Sequence, residues 1–360
     1  MKFTIHLKKE KIKYFNSLIL NDSINLILLR KNTVFFINED KNGIIRIVNY
    51  PTSSEEEASF KISNLTLSSI LNEGFITFKH EEETNQLCIG YTKNKEKAEA
   101  ERFSLVVKEP YESMNYDSYG VYLSIYSSKE LISTSSEFSQ NFNIMLKMCA
   151  INEEGLTFKN NMVYNVSDNK YIFMNMNCKE DFALTSTHLK ELAKIKEEQT
   201  YTKFNNYLIA RTDILTLAIG TAYANMDFDI PAPFLNDDYA TMKYTVNLLP
   251  VVDFLKSLSK TLVNKMVTAS ATLNVENSTL NLILNQIQST YKLNNGNLIF
   301  NKTANTKFNF RIDDLIDLCK FLTGCKLENT TINFLLYQKN IRLNFNNINI
   351  LLRLESEEIK

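Results

Sequence analysis

The side chains that most often carry out chemistry are few and scattered in this chain of 360 residues. The three histidines, His6, His80 and His188, lie far apart in the sequence, and no Walker loop, H-E-x-x-H or G-x-S-x-G motif occurs. Only eight glycines are present, so loops that could cradle a phosphate are scarce. We therefore expect that the protein is not an enzyme and that it uses no cofactor.

Carboxylates offer one further possibility, a metal site at Asp313, Asp314 and Asp317. On a predicted helix, however, this spacing is more typical of a solvated acidic face or of first-turn residues that the helix dipole favours. The glutamate runs at 55–57 and 81–83 are interpreted as charged loops. The carboxylates therefore predict no bound metal.

The cysteines and the apolar runs indicate the cellular compartment of the chain. Its five cysteines form no C-x-x-C pair and are widely spaced, which argues against a disulfide framework and against a zinc site. The first residues lack the apolar core of a signal peptide, and no apolar run approaches the ~18 residues of a membrane span. We expect a protein of a reducing compartment with no membrane partner.

Basic residues are concentrated on predicted helices although the whole chain is nearly neutral, with 40 Lys and Arg against 41 Asp and Glu. A positive helix face attracts polyanions, and the alternative is an ordinary solvated helix face. The lysines on these predicted faces are Lys8, Lys9, Lys11, Lys13, Lys190, Lys194, Lys196, Lys256, Lys260, Lys265 and Lys320, with His188 on the same predicted face as Lys190.

The elements that would position these side chains recur as a strand followed by a helix. In the clearest copy, 308–324, apolar and polar residues alternate and then change to i, i+3, i+4, i+7 spacing from Ile312 to Leu322. Helices are predicted to start about every sixty residues, near Lys8, Asn64, Ser127, Ser186, Pro250 and Arg311.

The third repeat is the least regular. Its pattern predicts a strand at 121–126, a helix that contains Leu131, Ile132 and Phe138, and then strands at 144–149 and 156–160.

One helix stripe cannot cover a sheet of this width, whereas two repeats side by side place two helices on one continuous sheet. We therefore predict an α+β protein of three domains, each a duplicated strand–helix–strands unit with two helices packed on a continuous antiparallel sheet. The polar, Pro-containing stretches at 108–120 and 229–240 mark the boundaries. The predicted domains are 1–112, 113–234 and 235–360.

Three segments resemble the DNA sliding clamps, in particular the bacterial replicative polymerase beta-clamp family. They are 308–336, the linker FDIPAPFLN at 228–236, and the terminal strand NINILLRL at 347–354, which lacks the Met-Pro of the family's usual ending. The resemblance implies a ring of six domains, hence a homodimer, whose helices line a bore around duplex DNA. The helix lysines named above are then the candidate DNA-facing residues, because weak phosphate contacts without base reading allow a ring to slide. Such a ring is a processivity factor that tethers the replicative polymerase. The composition, rich in Asn, Lys and Ile, suggests an AT-rich genome, with a bacteriophage as one candidate source. The resemblance implies a cytoplasmic protein, in a bacterial cell or a phage-infected bacterium.

The resemblance also implies partner sites. A pocket for peptide motifs of the polymerase and the clamp loader would be lined by Pro231, Pro233, Phe234, Val246, Leu351 and Leu352. Ordinary core or linker packing is the alternative for these residues. Dimer contacts are expected on edge strands of the first and third domains.

Two other functions stay open. A monomeric clamp-fold accessory factor of a DNA polymerase would hold linear DNA by charge, with a steep salt dependence. A protein-interaction scaffold with no role on DNA would tolerate charge reversal at Lys8, Lys11, Lys194 and Lys256, since fold does not fix function.

Overall fold

The computed structural model describes residues 1–19, 24–115, 119–129, 135–152, 155–167, 170–195, 199–221, 234–247, 253, 270–276, 279–284, 289–292, 297–300, 307–325, 331–337 and 340–353. The chain forms two compact units. The first comprises Met1–Ser135 and Glu191–Thr221, and the second comprises Ser136–Lys190 and Ala222–Lys360.

The strands of the first half of the chain are β1 (Lys2–Leu7), β2 (Ile24–Arg30), β3 (Thr33–Glu39), β4 (Ile44–Pro51), β5 (Ala58–Ser63), β6 (Gly74–Glu81), β7 (Gln86–Thr92), β8 (Leu105–Pro110), β9 (Leu156–Lys159), β10 (Met162–Val166), β11 (Lys170–Asn175) and β12 (Phe182–Leu184). Those of the second half are β13 (Thr200–Phe204), β14 (Tyr207–Arg211), β15 (Leu215–Gly220), β16 (Met242–Asn247), β17 (Ser270–Glu276), β18 (Thr279–Leu284), β19 (Ser289–Lys292), β20 (Asn297–Phe300), β21 (Lys307–Arg311), β22 (Thr331–Tyr337), β23 (Asn340–Phe345) and β24 (Ile348–Arg353). The described α-helices are α1 (Ile12–Asn16), α2 (Asn64–Ile70), α3 (Lys95–Glu99), α4 (Gly120–Ser127), α5 (Ser135–Asn152), α6 (Ser186–Leu192) and α7 (Ile312–Gly324).

Asparagine closes several of the hairpins. Asn32, Asn161, Asn205 and Asn346 have positive φ values between 49° and 63°. These residues lie in the turns of β2–β3, β9–β10, β13–β14 and β23–β24. A tight hairpin needs left-handed backbone, which asparagine adopts more readily than other non-glycine residues. The repeated asparagine turn is therefore a local reason for the repeated hairpin.

The first unit contains two antiparallel sheets, with strand orders β1-β6-β7-β8 and β13-β14-β15-β4-β3-β2-β5. Alternate residues of the larger sheet point to opposite faces. Phe36 faces the core beneath α1, which contributes Phe15. Phe35 and Ile37 face the other side, where α4 covers them with Ile125. This sheet is therefore buried on both faces.

The second unit also contains two antiparallel sheets, with orders β12-β9-β10-β11-β24-β23-β22-β16-β20 and β19-β18-β17-β21. Phe321 of α7 contacts Phe345 of β23, with ring centroids 6.1 Å apart. Because side chains alternate along a strand, Arg342 and Asn344 lie on the face away from α7. We call that side the outer face of the sheet.

Two strand pairs join predicted neighbouring domains, and we call them seams. The first seam pairs β4 with β15, and the second pairs β11 with β24. The two compact units divide the predicted second domain between them, with its first half in the second unit and its second half in the first. The boundaries of three domains stay a prediction.

The third repeat differs from its prediction. Residues 121–126 lie in α4 and residues 144–149 lie in α5, although both segments were expected to be strands. The buried residues Phe138, Met145, Met148 and Cys149 recur at helical spacing and form one stripe of a longer helix. The segment from Ile144 to Cys149 contributes three of these residues. Leu131 and Ile132 lie outside the described residues.

Three of the other predicted helix starts agree with the structure to within one residue. α2 begins at Asn64 and α6 at Ser186, as predicted, and α7 begins at Ile312, one residue after the expected start. The first helix opens with a 3-10 turn at Lys9–Lys11 before α1. The start near Pro250 lies outside the described residues.

Candidate functional site

The predicted basic face is described best at the N-terminal helix. Lys8, Lys9 and Lys13 are exposed, and Lys11 is half-buried. The ammonium nitrogens of Lys11 and Lys13 lie 5.7 and 4.9 Å from the ring centre of Tyr14. This face can therefore present several cations to a polyanion.

The remaining lysines are described only in part. Lys190 and Lys194 are exposed near the end of α6, and Lys320 is exposed on α7, where it lies 3.4 Å from Asp317. Lys196, Lys256, Lys260 and Lys265 lie outside the described residues. A role for the lysines in contacting DNA stays a prediction.

Two residues assigned to solvated helix faces are buried instead. The backbone N–H of His188 donates to Thr185 Oγ1 at 3.2 Å, and the Thr185 N–H donates to His188 Nδ1 at 3.3 Å. This reciprocal pair caps the start of α6, so the imidazole packs against its own helix. Asp314 is also buried, and its carboxylate lies 3.3 Å from the ammonium of Lys170. The acidic face predicted for this helix is wrong at Asp314 because Lys170 neutralises its charge.

The first seam carries a buried ionic cluster. The guanidinium of Arg46 on β4, with 4% of its side chain exposed, donates to Asp40 at 2.9 Å and to Glu191 of α6 at 3.0 Å. Burial raises the pKa of the Glu191 carboxyl, but hydrogen bonds from Lys194 and Arg46 outweigh it, so the net pKa lies below its usual value. Glu191 is therefore ionised at neutral pH and connects α6 to β4.

The second seam repeats this arrangement. Lys170 on β11 donates to Asp314 and to Asp317, both on α7. Burying such charges is tolerated only when they are paired and hydrogen-bonded. At each seam, then, a strand cation is bound to carboxylates of the helix in the following predicted domain.

The predicted peptide pocket is partly assembled on the outer face of the second unit. Leu351 packs in one apolar cluster with Tyr164, Phe173 and the half-buried Phe234. The ring of Phe234 also meets Tyr337 edge-on, with centroids 5.2 Å apart and planes at 87°. Two of the predicted pocket residues, Phe234 and Leu351, are therefore together.

The other predicted pocket residues are not at this cluster. Leu352 follows Leu351 on a strand, so its side chain points to the opposite face, where it is fully buried. The prediction that it lines the pocket is wrong for that reason. Val246 lies in β16 opposite Ile332, but its side chain is outside the described part of the structure. Pro231 and Pro233 lie outside the described residues.

A polar cavity of about 710 Å³ adjoins this apolar cluster. Arg342 reaches it and donates to the carbonyl of Phe234 and to Asp237, so it fixes the segment that carries Phe234. Among the described residues, the Arg342 Nε has no acceptor. The rest of the lining is rich in amide side chains with some apolar ones, and it consists of Glu137, Asn160, Asn161, Met162, Phe173, Asn175, Met176, Asn177, Leu235, Asn344 and Asn349. The sequence did not reveal this cavity, because strand register brings its distant residues together.

Each four-stranded sheet has an edge strand that follows two hairpin-connected strands. β8 is an edge strand among the described strands, and Leu105 and Val106 on it are 39% and 47% exposed. β19 is an edge strand of the other four-stranded sheet in the described part of the chain. Exposed apolar edges are usually protected or paired.

Two absences are limited to the residues that the structure describes. In them, no helix is long and apolar enough to cross a membrane. Nor does any group of three or more His, Cys, Asp or Glu side chains in that part of the chain form a candidate metal site.

Comparison with known proteins gives a fold but no family assignment. No protein-family model and no curated protein matches the sequence. Among solved structures, a putative DNA polymerase III beta subunit from Eubacterium rectale is 14% identical, with a TM-score of 0.69 over 99% of this chain and 100% of that one. The DNA polymerase sliding clamp from Bacillus subtilis is 12% identical, with a TM-score of 0.65 over 99% of both chains. The beta subunit from Streptococcus pyogenes is 11% identical, with a TM-score of 0.64 over 99% and 100%.

At these identities the likeness establishes the architecture. The whole chain has the α+β beta-clamp fold, which confirms the predicted fold class.

Proposed function

We propose that this chain is the subunit of a DNA sliding clamp, a homodimeric ring that encircles duplex DNA and tethers a replicative polymerase. The observation that carries the proposal is the pairing rule of the seams, in a chain that matches beta-clamp structures over 99% of its length.

The rule concerns the third strand after the helix of each repeat. β4, from the first half of the first predicted domain, pairs with β15, from the second half of the second. β11 and β24 stand in the same relation one domain later. Two strands of this kind have no such pairing among the described strands, namely β19 and β8, and both lie at a sheet edge. The same rule would pair β19 of one copy with β8 of another, and two such contacts close a two-subunit ring.

The surface of β8 supports this pairing. An unprotected edge strand with exposed apolar side chains invites another strand, which in a closed ring is the partner's β19. Leu105 and Val106 would then be covered. Among the described residues, Cys88, Cys149, Cys178 and Cys325 form no disulfide, which fits a reducing bacterial cytoplasm, with or without an infecting phage.

The charge distribution supports the DNA role. Lysines such as Lys8, Lys9 and Lys190 are exposed near the starts and ends of helices in a chain with equal numbers of opposite charges to within one. Local phosphate contacts of this kind are weak and sequence-independent, so they permit sliding. The work of such a ring is topological and needs neither catalysis nor a cofactor.

The outer face of the second unit is the proposed docking site for peptide segments of the polymerase and the clamp loader. Phe234 and Leu351 supply apolar contact, and the adjoining cavity supplies hydrogen-bonding groups. Ligand sites commonly combine an apolar wall with a few fixed polar groups.

Retention on circular DNA tests the proposed function. The protein is incubated with a nicked plasmid, washed at high salt, and then the plasmid is cut once. A ring stays on the circle through the wash and leaves after the cut. Loss of the protein in the wash from circular and linear DNA alike would contradict the ring and favour a monomeric accessory factor held by charge.

A further inference from the structure

The ionic contact of the two seams has a fixed place in the repeat. At the first seam Arg46 of β4 binds Glu191 of α6, and at the second Lys170 of β11 binds Asp314 and Asp317 of α7. Each cation lies on the third strand after one helix, and each carboxylate lies on the helix that precedes the paired third strand. We call the proposed pairing of β19 of one copy with β8 of another the subunit contact. Strand register and helix starts give the corresponding positions there.

Strand register identifies the residue that corresponds to the two seam cations. The middle strands of the three hairpins begin at Thr33, Met162 and Thr279. Five residues after these starts lie Asn38, Ser167 and Leu284. The residues paired with them on the third strands are Arg46, Lys170 and Ser289. At the subunit contact, therefore, a serine takes the position at which both seams have a cation.

Helix starts identify the position that corresponds to the seam carboxylates. The helices α2, α6 and α7 begin at Asn64, Ser186 and Ile312. The hydroxyl before α2 and the hydroxyl before α6 each accept from the backbone N–H three residues later, which supports this alignment. The sixth residues of the three helices are Ser69, Glu191 and Asp317. A second serine therefore takes the position at which both seams have a carboxylate.

One carboxylate is nevertheless present beside α2. Glu109 of β8 accepts hydrogen bonds from the hydroxyls of Ser63 at 2.9 Å and Thr66 at 2.7 Å. Thr66 is the third residue of α2, as Asp314 is the third residue of α7. In the described part of the chain no cation pairs with Glu109. The subunit contact thus has a carboxylate near the position of Asp314 but no cation in the position of Lys170.

From these positions we propose that Ser69 and Ser289 keep the subunit contact reversible, because they replace the ionic contact that holds each seam. The inference rests on the proposed ring. Since the peptide chain continues across each seam, a closed circle of DNA can enter the ring only at the subunit contact. A charge-assisted contact within an interface mainly slows dissociation. Serines in these two positions therefore let the ring open at the one place where opening admits DNA.

Subunit exchange measures the lifetime of this contact. Unlabelled and nitrogen-15-labelled full-length protein are mixed, and native mass spectrometry follows the appearance of mixed dimers. The double substitution Ser69→Glu with Ser289→Arg restores a cation and a carboxylate and should slow exchange about tenfold or more, because a new charged pair acts mainly on dissociation. Ser289→Arg alone has only Glu109 as a partner and should slow exchange less.

The matched control moves both charges by one residue. It is Ser68→Glu with Thr290→Arg, and Ser68 is exposed, as Ser69 is. Successive positions of a strand lie on opposite faces of the sheet, so position 290 is not on the face of position 289. Exchange of this variant should stay within about threefold of the wild type, because charges that do not meet across the contact are screened by water. Thermal melts show whether each variant is folded.

The restored contact should also change entry onto DNA. Rings with Ser69→Glu and Ser289→Arg should load onto nicked plasmid more slowly than the wild type and, once loaded, should leave after the plasmid is cut.

The inference is overturned if the charge-restored variant and its matched control exchange at the same rate, or if neither forms a dimer. Equal exchange rates in dimers that stay on circular DNA would contradict this inference alone. Loss of the wild type from circular DNA in the wash would contradict the proposed ring, and that is measured separately.

Discussion

The two seams are built alike on the side that faces the helices and differently on the outer side. At each, an antiparallel strand pair crosses between predicted domains, and a strand cation binds carboxylates of the following helix, Arg46 to Glu191 and Lys170 to Asp314. The ionic contact between strand and helix therefore recurs at both seams together with the strand pairing.

On the outer face, α4 covers the first seam, whereas the described residues that pack over the second come from strands and from Phe234 rather than from an α-helix. α4 lies over the first sheet and buries Tyr119 and Ile125 against it. The corresponding face of the second unit holds a small apolar cluster, Phe234 and a cavity of about 710 Å³. An apolar face that the described helices leave uncovered is a candidate surface for a partner. This contrast is our structural reason for placing partner docking at the second seam.

Removing the strand cations should have the largest effect on stability. Lys170→Ala removes the ammonium that pairs with the buried Asp314 and should cost about 3–5 kcal/mol of unfolding free energy. Arg46→Ala should cost somewhat less, because Asp40 and Glu191 retain more exposure to water. Urea unfolding measures both. Losses below about 1 kcal/mol at both seams would show that the ionic contacts are incidental.

Side-chain truncation on the outer face should cost more unfolding free energy at the first seam than at the second. Ile125→Ala removes a fully buried side chain beneath α4 and should cost about 2–4 kcal/mol. Phe234→Ala removes a half-buried ring and should cost about half as much. It should also speed amide hydrogen exchange across 234–240, since the contact with Tyr337 is lost. Equal costs and unchanged exchange would contradict the contrast between the faces.

The pH dependence of stability should reflect the ionisation of Glu191 in the first seam. The pKa of Glu191 is lowered in the folded chain, so its ionised form stabilises the fold above the unfolded pKa of about 4.3. That contribution is lost as the pH falls through the lower, folded pKa. Glu191→Gln should therefore flatten the fall in melting temperature between about pH 5 and pH 3. The exposed Glu99→Gln serves as control and should leave the slope of the wild type.

The smallest effect is expected at the exposed lysines beside the seams. Lys194 and Lys320 are 67% and 70% exposed and pair with acids one helical turn away. Substituting either by alanine should change the unfolding free energy by about 0.5 kcal/mol or less, because water screens such pairs. A loss above about 1 kcal/mol in urea unfolding would mean that they belong to the seam clusters.

Local patterns predicted the regular repeats, and they failed where contacts between distant residues decide. The starts of α2 and α6 followed from apolar spacing, and the turn asparagines explain the hairpins. The burial of Asp314 depends on Lys170, which is remote in the sequence. The spacing of residues within α7 therefore could not predict that burial. Alternation at 121–126 indicated a strand, but i, i+3, i+4 contacts of Tyr122, Ile125 and Tyr126 with the sheet favour a helix.

The candidate site was predictable only in part for the same reason. Phe234 and Leu351 came from the resemblance of two segments to a family. Arg342 and the asparagines of the cavity meet through the register of β23, β24 and β11, which no single segment encodes.

The mass of the protein in solution tests the central claim most directly. Light scattering during size exclusion should give twice the chain mass of 41.6 kDa at micromolar concentration. Val106→Glu on β8 should reduce it to one chain, because a charge would be buried at the strand contact. Val121→Glu, which alters a valine of similar exposure on α4, should remain a dimer. A wild-type mass of one chain, or a Val106→Glu variant that stays dimeric, would contradict the ring closed through β8.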